Sequence, residues 1–136
     1  MYSNFGYTLI KEAGKINILL VDDEPSIVSA LLQYLDRRGY GVAGVTKAEI
    51  AEPLAISGIF DLMILDINLE DITGIELYNR VKEQGYKGEV LFITAYSEQY
   101  LEELIEIEQS RLIQKPFRLY TILEKIKELS KNPVSQ

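Results

Sequence analysis

Hydrophobic residues alternate along the chain between short continuous runs and stretches with helical spacing. The continuous runs lie at 16–21, 40–45, 60–66, 89–94 and 111–114. Runs of this length, such as "INILLV" at 16–21, predict strands that are buried on both faces. Each run is followed by a segment with apolar residues three or four positions apart, which predicts an amphipathic helix. The first of these helical segments begins at Pro25 and ends by Gly39. The other four lie at 47–57, at 74–84, within 97–108 and at 117–130.

Five strand-then-helix units predict an α/β protein in which helices cover both faces of a parallel sheet. Right-handed crossovers favour the flavodoxin-like, doubly wound strand order 2-1-3-4-5, whose ligands bind at the carboxyl ends of the strands. With 136 residues, the chain has the length of one domain. We expect that domain at 15–131, after a flexible N-terminal extension at 1–14 and before a C-terminal tail at 132–136.

Composition narrows the chemistry that is open to this chain. It has 14 basic and 21 acidic residues, a formal charge of −7, which disfavours binding to nucleic acid or to an anionic membrane. It has no cysteine and no histidine, so thiolate sites, disulfides and imidazole catalysis are excluded. No apolar stretch approaches the roughly 20 residues of a membrane span, and residues 1–15 do not have the pattern of a secretion signal. We therefore expect a cytoplasmic location, with chemistry based on carboxylates, hydroxyls and lysine.

Polar residues end or follow the predicted strands at the edge where such a fold places its ligand. Asp22 and Asp23 follow the first strand, Asp66 ends the third, Thr94 ends the fourth and Lys115 follows the fifth. Three carboxylates at one edge suit a hard cation such as Mg²⁺, which takes carboxylates, waters and phosphoryl oxygens. Such a site allows Asp66 to attack phosphorus while the metal, the ammonium and the hydroxyl neutralise the phosphoryl oxygens.

Each of these residues also has a simpler interpretation. Asp22 and Asp23 are acids at a helix start, where negative charge is favourable by about 0.3–1 kcal/mol. Asp66 can serve as a loop cap, Thr94 is a common strand residue, and Lys115 can be a surface lysine. The convergence of all five on one edge favours the functional interpretation.

Four segments in order, "LLVDDEPS", "LMILDINLEDITG", "LFITAYS" and "QKPF", resemble the signature of the response-regulator receiver domain of two-component signalling. The resemblance covers about residues 15–130. It implies a domain that is not an enzyme acting on other substrates. Instead, it takes a phosphoryl group from the phosphohistidine of a histidine kinase or phosphotransfer domain and switches an output partner or an output domain outside this chain.

The same resemblance assigns roles to individual residues. It implies that Asp66 is the phospho-acceptor and that Asp22, Asp23 and Asp66 bind Mg²⁺ together with the backbone carbonyl of Asn68. Thr94 is then the switch hydroxyl.

In the fifth-strand motif, Lys115 is the salt-bridging lysine, and Pro116 is expected to follow a cis peptide bond. The usual switch aromatic three residues before that lysine is replaced by Leu112, and Leu69 and Glu70 replace the customary Met-Pro after the acceptor.

Other functions remain open on the sequence alone. A receiver-like module that binds partners without being phosphorylated is the main alternative. A flavin-binding relative has the same fold class, but the acids of "DDEPS" would repel a flavin phosphate, and a metal-dependent hydrolase lacks an identifiable substrate pocket. The predicted helix within 97–108 also presents Glu98, Glu102 and Glu106 at four-residue spacing, either as a solvated face or as a surface for a basic partner.

Overall fold

The computed structural model describes residues 3–5, 8–10, 14–95 and 107–131. Its strands are β1 (Ser3–Phe5), β2 (Thr8–Ile10), β3 (Asn17–Val21), β4 (Gly41–Val45), β5 (Leu62–Asp66), β6 (Glu89–Thr94) and β7 (Leu112–Gln114). Its helices are α1 (Pro25–Asp36), α2 (Ala48–Ala55), α3 (Gly74–Glu83) and α4 (Leu119–Lys131), with a short 3₁₀ turn at Gln109–Arg111. Strands β1 and β2 form an antiparallel hairpin within the N-terminal 14 residues, and the predicted flexibility of that extension stays a prediction.

The central sheet is parallel and has the order β4-β3-β5-β6-β7. Numbered along its own five strands, this is the order 2-1-3-4-5, so the predicted doubly wound fold is confirmed. The reversal of strand order lies between β3 and β5, whose carboxyl ends are therefore the expected ligand position.

Two hydrophobic cores, one on each face of the sheet, hold the helices in place. Side chains of alternate strand residues lie on opposite faces of the sheet. Leu19 and Met63 pack with α2 and α3, whereas Ile18 and Ile64 pack with α1 and α4. All four side chains are essentially inaccessible to solvent. Burial on both faces explains why these strands read as continuous apolar runs rather than as alternating ones.

Local signals in the sequence account for the helix bounds. Pro25 occupies the first turn of α1, where its missing N–H costs nothing. The Thr73 hydroxyl accepts a hydrogen bond from the Glu76 N–H at 3.1 Å and so caps α3. Gly85, with a φ of 103°, lies just beyond the C-terminus of the same helix in a conformation that suits glycine.

The predicted helix within 97–108 lies almost wholly outside the described residues, and so does its acidic face at 98, 102 and 106. Its last two positions, Ile107 and Glu108, are described and are not helical. Among the described residues, no helix combines the length and the apolar character that crossing a membrane requires.

Candidate functional site

Strand register places the predicted acids side by side. Val21 of β3 pairs with Leu65 of β5, so Asp22, which follows β3, lies level with Asp66, the last residue of β5. Both are almost completely buried, at 3% and 2% exposure, while Asp23 is half-buried. Carboxylate oxygens of these three residues lie within 4.8 Å of one another.

Each of the two buried acids is held by a local turn of the same kind. Asp66 Oδ1 accepts a hydrogen bond from the Asn68 N–H at 3.0 Å, and Asp22 Oδ1 accepts one from the Glu24 N–H at 2.9 Å. An aspartate that bonds the backbone two residues on is a common way to begin a loop. In both cases this bond occupies one carboxylate oxygen and leaves the other facing the site.

Lys115 is the cation that these carboxylates share. Its Nζ lies 3.2 Å from Asp66 Oδ2, 3.1 Å from Asp22 Oδ2 and 2.9 Å from Glu24 Oε1. The lysine side chain is only 13% exposed, so these pairs are screened less by solvent than ordinary surface ion pairs. The Lys115–Pro116 peptide bond is cis, as expected from the sequence.

The electrostatics of the cluster favour addition of positive charge. Burial and the Asp22 charge together raise the pKa of Asp66 to about 6, although the Asn68 N–H and Lys115 act in the opposite direction. Burial also raises the pKa of Asp22. For Lys115, burial lowers the pKa, but the paired carboxylates of Glu24 and Asp22 outweigh this effect and hold the pKa above its ordinary value. The single positive charge of Lys115 therefore only partly offsets the negative charge of the neighbouring carboxylates.

This donor set has the chemistry of a site for a hard divalent cation. Asp22, Asp23 and Asp66 supply three oxygen donors and no nitrogen or sulfur, which suits Mg²⁺. The residues present therefore fit the metal that the sequence predicts. Asn68 contacts the cluster through its N–H, which donates to Asp66. Binding of Mg²⁺ by the Asn68 carbonyl stays a prediction.

Thr94 and Lys115 are joined through their backbones. Thr94 is 1% exposed at the end of β6, beside Asp66 on the neighbouring strand β5. Its carbonyl accepts a hydrogen bond from the Lys115 N–H at 2.8 Å. The structure thus brings the five sequence-predicted residues Asp22, Asp23, Asp66, Thr94 and Lys115 to one edge of the sheet.

Gly74, at the start of α3, allows the loop after Asp66 to fold back tightly. Its N–H donates to the Ile67 carbonyl at 3.0 Å. A Cβ at this position would overlap the backbone carbonyl of Asp66. The absence of a side chain at Gly74 therefore keeps the loop after Asp66 against the end of β5.

An apolar cavity of about 570 Å³ opens beside the lysine. It lies between α1 and the segment that leads into α4, and Ile27, Leu31, Phe117 and Leu119 supply much of its lining. Lys115 and Glu24 stand at the same cavity. The cavity thus combines an apolar lining with two charged residues of the cluster.

With this geometry established, comparison with known proteins decides the family. Residues 18–127 match the family model described as the response regulator receiver domain. The chain belongs to this family. Receiver domains are the signalling domains of two-component systems, so the resemblance identified from the four motifs is confirmed.

Named relatives of this receiver domain include transcriptional regulators. The transcriptional regulatory protein DltR of Streptococcus agalactiae is 30% identical over 113 residues, 82% of this chain and 50% of that protein. The alkaline phosphatase synthesis transcriptional regulatory protein PhoP of Bacillus subtilis is 33% identical over 113 residues, 82% of this chain and 47% of that protein. The receiver domain thus spans about half the length of the curated relatives it matches.

Solved structures show the same fold. A CheY-like receiver domain protein from Methanospirillum hungatei superimposes with a TM-score of 0.79 at 28% identity, covering 88% of this chain and 96% of that one. The response regulator TrrA from Thermotoga maritima, solved with Mg²⁺ and BeF, has a TM-score of 0.72 at 32% identity. That match covers 84% of this chain and 98% of the other.

Sequence reasoning missed one participant in the cluster and left another position open. Glu24 is the third acid of "DDEPS", and nothing in the sequence indicates a partner for it, although it is the nearest carboxylate to Lys115. The only signal was its place next to Pro25, at the start of α1. Leu112, where the family usually has an aromatic residue, is half-buried and packs against the core on the α2 and α3 side.

Proposed function

We propose that this receiver domain accepts a phosphoryl group on Asp66 in a Mg²⁺-dependent reaction. The observation that carries the proposal is the position of the buried Asp66 carboxylate, within 4.8 Å of two further carboxylates and 3.2 Å from the Lys115 ammonium. Asp22, Asp23 and the carbonyl of Asn68 would hold the metal, and bound Mg²⁺ would supply positive charge to the phosphoryl oxygens.

In the proposed transfer, an oxygen of Asp66 bonds to phosphorus as the bond from phosphorus to the donor atom breaks. The raised pKa of Asp66 reflects a charge that is poorly solvated in the free protein, and the added cation keeps it ionised as a nucleophile. Lys115 and Thr94 would balance the charge on the transferred group, the first by ion pairing and the second by a hydrogen bond.

The donor is proposed to be the phosphohistidine of a histidine kinase or phosphotransfer domain. The 136 residues contain no histidine, so the donor lies outside them. Breaking the phosphorus–nitrogen bond returns the electron pair to the imidazole nitrogen. Because the relatives named above are transcriptional regulators, we propose that phosphorylation controls an output domain or partner.

Phosphorylation with a small donor tests this function directly. Incubation with acetyl phosphate and Mg²⁺ should add one phosphoryl mass to the wild type and none to Asp66→Asn, as measured by intact mass spectrometry. Asp36→Asn, an exposed acid in the last position of α1, is the matched control and should be labelled normally. Equal labelling of Asp66→Asn would rule out this acceptor, and partner binding without any labelling would favour a module that works without phosphorylation.

A further inference from the structure

Glu24 is the closest carboxylate to Lys115, yet the proposed phosphoryl chemistry gives it no role. Its Oε1 lies 2.9 Å from Nζ, compared with 3.1 Å for Asp22 and 3.2 Å for Asp66. Glu24 is not one of the three acids whose oxygens cluster in metal-binding geometry. The Lys115 ammonium donates hydrogen bonds to Glu24 and Asp66 and also forms an ion pair with Asp22, so it is surrounded by three carboxylates.

The backbone explains why the Glu24 side chain is free to make this contact. Glu24 is the N-cap of α1, a position whose side chain commonly accepts a hydrogen bond from the first helical turn. Its side chain makes no such bond. Instead its carbonyl accepts hydrogen bonds from Ile27 and Val28, and its carboxylate extends to Lys115.

The three carboxylates differ in the free-energy cost of losing the ion pair with Lys115. The side chains of Asp22 and Asp66 are 4% and 2% exposed, whereas that of Glu24 is 55% exposed. A buried carboxylate that loses its cation is strongly destabilised, but an exposed one is resolvated by water. Glu24 is therefore the partner that Lys115 releases most easily.

We propose that Glu24 is a positioning residue that restrains Lys115 in the resting state and gives it up when a phosphoryl group reaches Asp66. The inference rests on the proposed function, because it assumes that Lys115 pairs with the incoming phosphoryl oxygens. Those oxygens must compete for an ammonium that already pairs with three carboxylates. The Glu24 contact is then a barrier to phosphorylation, and its loss should make Asp66 react faster.

The rate of labelling by acetyl phosphate at fixed Mg²⁺ tests the restraint. Removing one partly exposed ion pair should raise the rate constant of Glu24→Gln about two- to fivefold. Glu24→Asp keeps the charge but shortens the side chain by one methylene, so it should also react faster than wild type. Glu70→Gln is the matched control, since this exposed acid follows Asp66 closely and forms no ion pair with Lys115 in the described part of the chain.

A second measurement does not depend on phosphorylation. Urea unfolding of Glu24→Gln, Lys115→Gln and the double variant gives the coupling between the two side chains. We expect the effects on the unfolding midpoint to be non-additive, and additive effects would overturn the contact on which the inference depends.

The outcomes separate this inference from the proposed function. If the wild type is labelled on Asp66 but Glu24→Gln reacts at the wild-type rate or more slowly, the inference alone is overturned. If Glu24→Gln and Glu70→Gln are equally fast while Glu24→Asp matches wild type, net charge is the cause and the inference is again overturned. If the wild type is not labelled at all, the proposed function is lost and the inference with it.

Discussion

Replacing Asp66 by its neutral isostere should stabilise the metal-free protein. Asp66→Asn keeps the size of the side chain but removes a charge that burial and the Asp22 carboxylate disfavour. The pKa of Asp66 rises from 3.8 to about 6 on folding. At 1.36 kcal/mol per pKa unit, ionised Asp66 destabilises the fold by roughly 3 kcal/mol relative to its neutral form.

The pH dependence follows from the direction of that shift. Because the folded state binds the proton more tightly than the unfolded state, the neutral form favours folding below pH 4, and this contribution is lost as pH rises through about 6. The advantage of Asp66→Asn over wild type should therefore be roughly 3 kcal/mol at pH 8 and should fall to about 1 kcal/mol at pH 4.5.

Urea unfolding followed by circular dichroism in the presence of a chelator measures this difference. Asp36→Asn, on the exposed end of α1, is the control and should change the free energy of unfolding by less than about 0.5 kcal/mol at both pH values. An Asp66→Asn variant that is no more stable than wild type at pH 8, or equally favoured at both pH values, would refute the electrostatic reasoning.

Two further predictions concern metal binding and the loop between Asp66 and Gly74. Mg²⁺ at about 100 times its Kd should raise the free energy of unfolding of the wild type by about 2.7 kcal/mol. Calorimetry should show a smaller stabilisation by Mg²⁺ in Asp23→Asn. The same stabilisation in both proteins would exclude Asp23 as a ligand. Gly74→Ala should lower the free energy of unfolding in urea by about 1–3 kcal/mol, because its Cβ would overlap the Asp66 carbonyl, and wild-type stability in that variant would show that the loop has room to move.

Most of the fold was predictable because its signals are local. Buried strands such as β3 and β5 are continuous apolar runs, and Pro25 and Gly85 mark a helix start and a helix end within a few residues. The strand order follows from general rules of chain connection once five strand-then-helix units are recognised. The hairpin at Ser3–Phe5 and Thr8–Ile10 was not predicted, since strands of three residues are too short to show periodicity.

The chemical groups at the strand ends can be read from the order of residues, because Asp22, Asp23, Asp66, Thr94 and Lys115 each follow or end an apolar run. How these groups share their charges depends on the folded arrangement. The ion pair between Glu24 and Lys115 joins residues 91 positions apart, and the raised pKa of Asp66 depends on its burial in the folded chain. Pair distances and desolvation arise from packing in three dimensions, and no local pattern of residues encodes them.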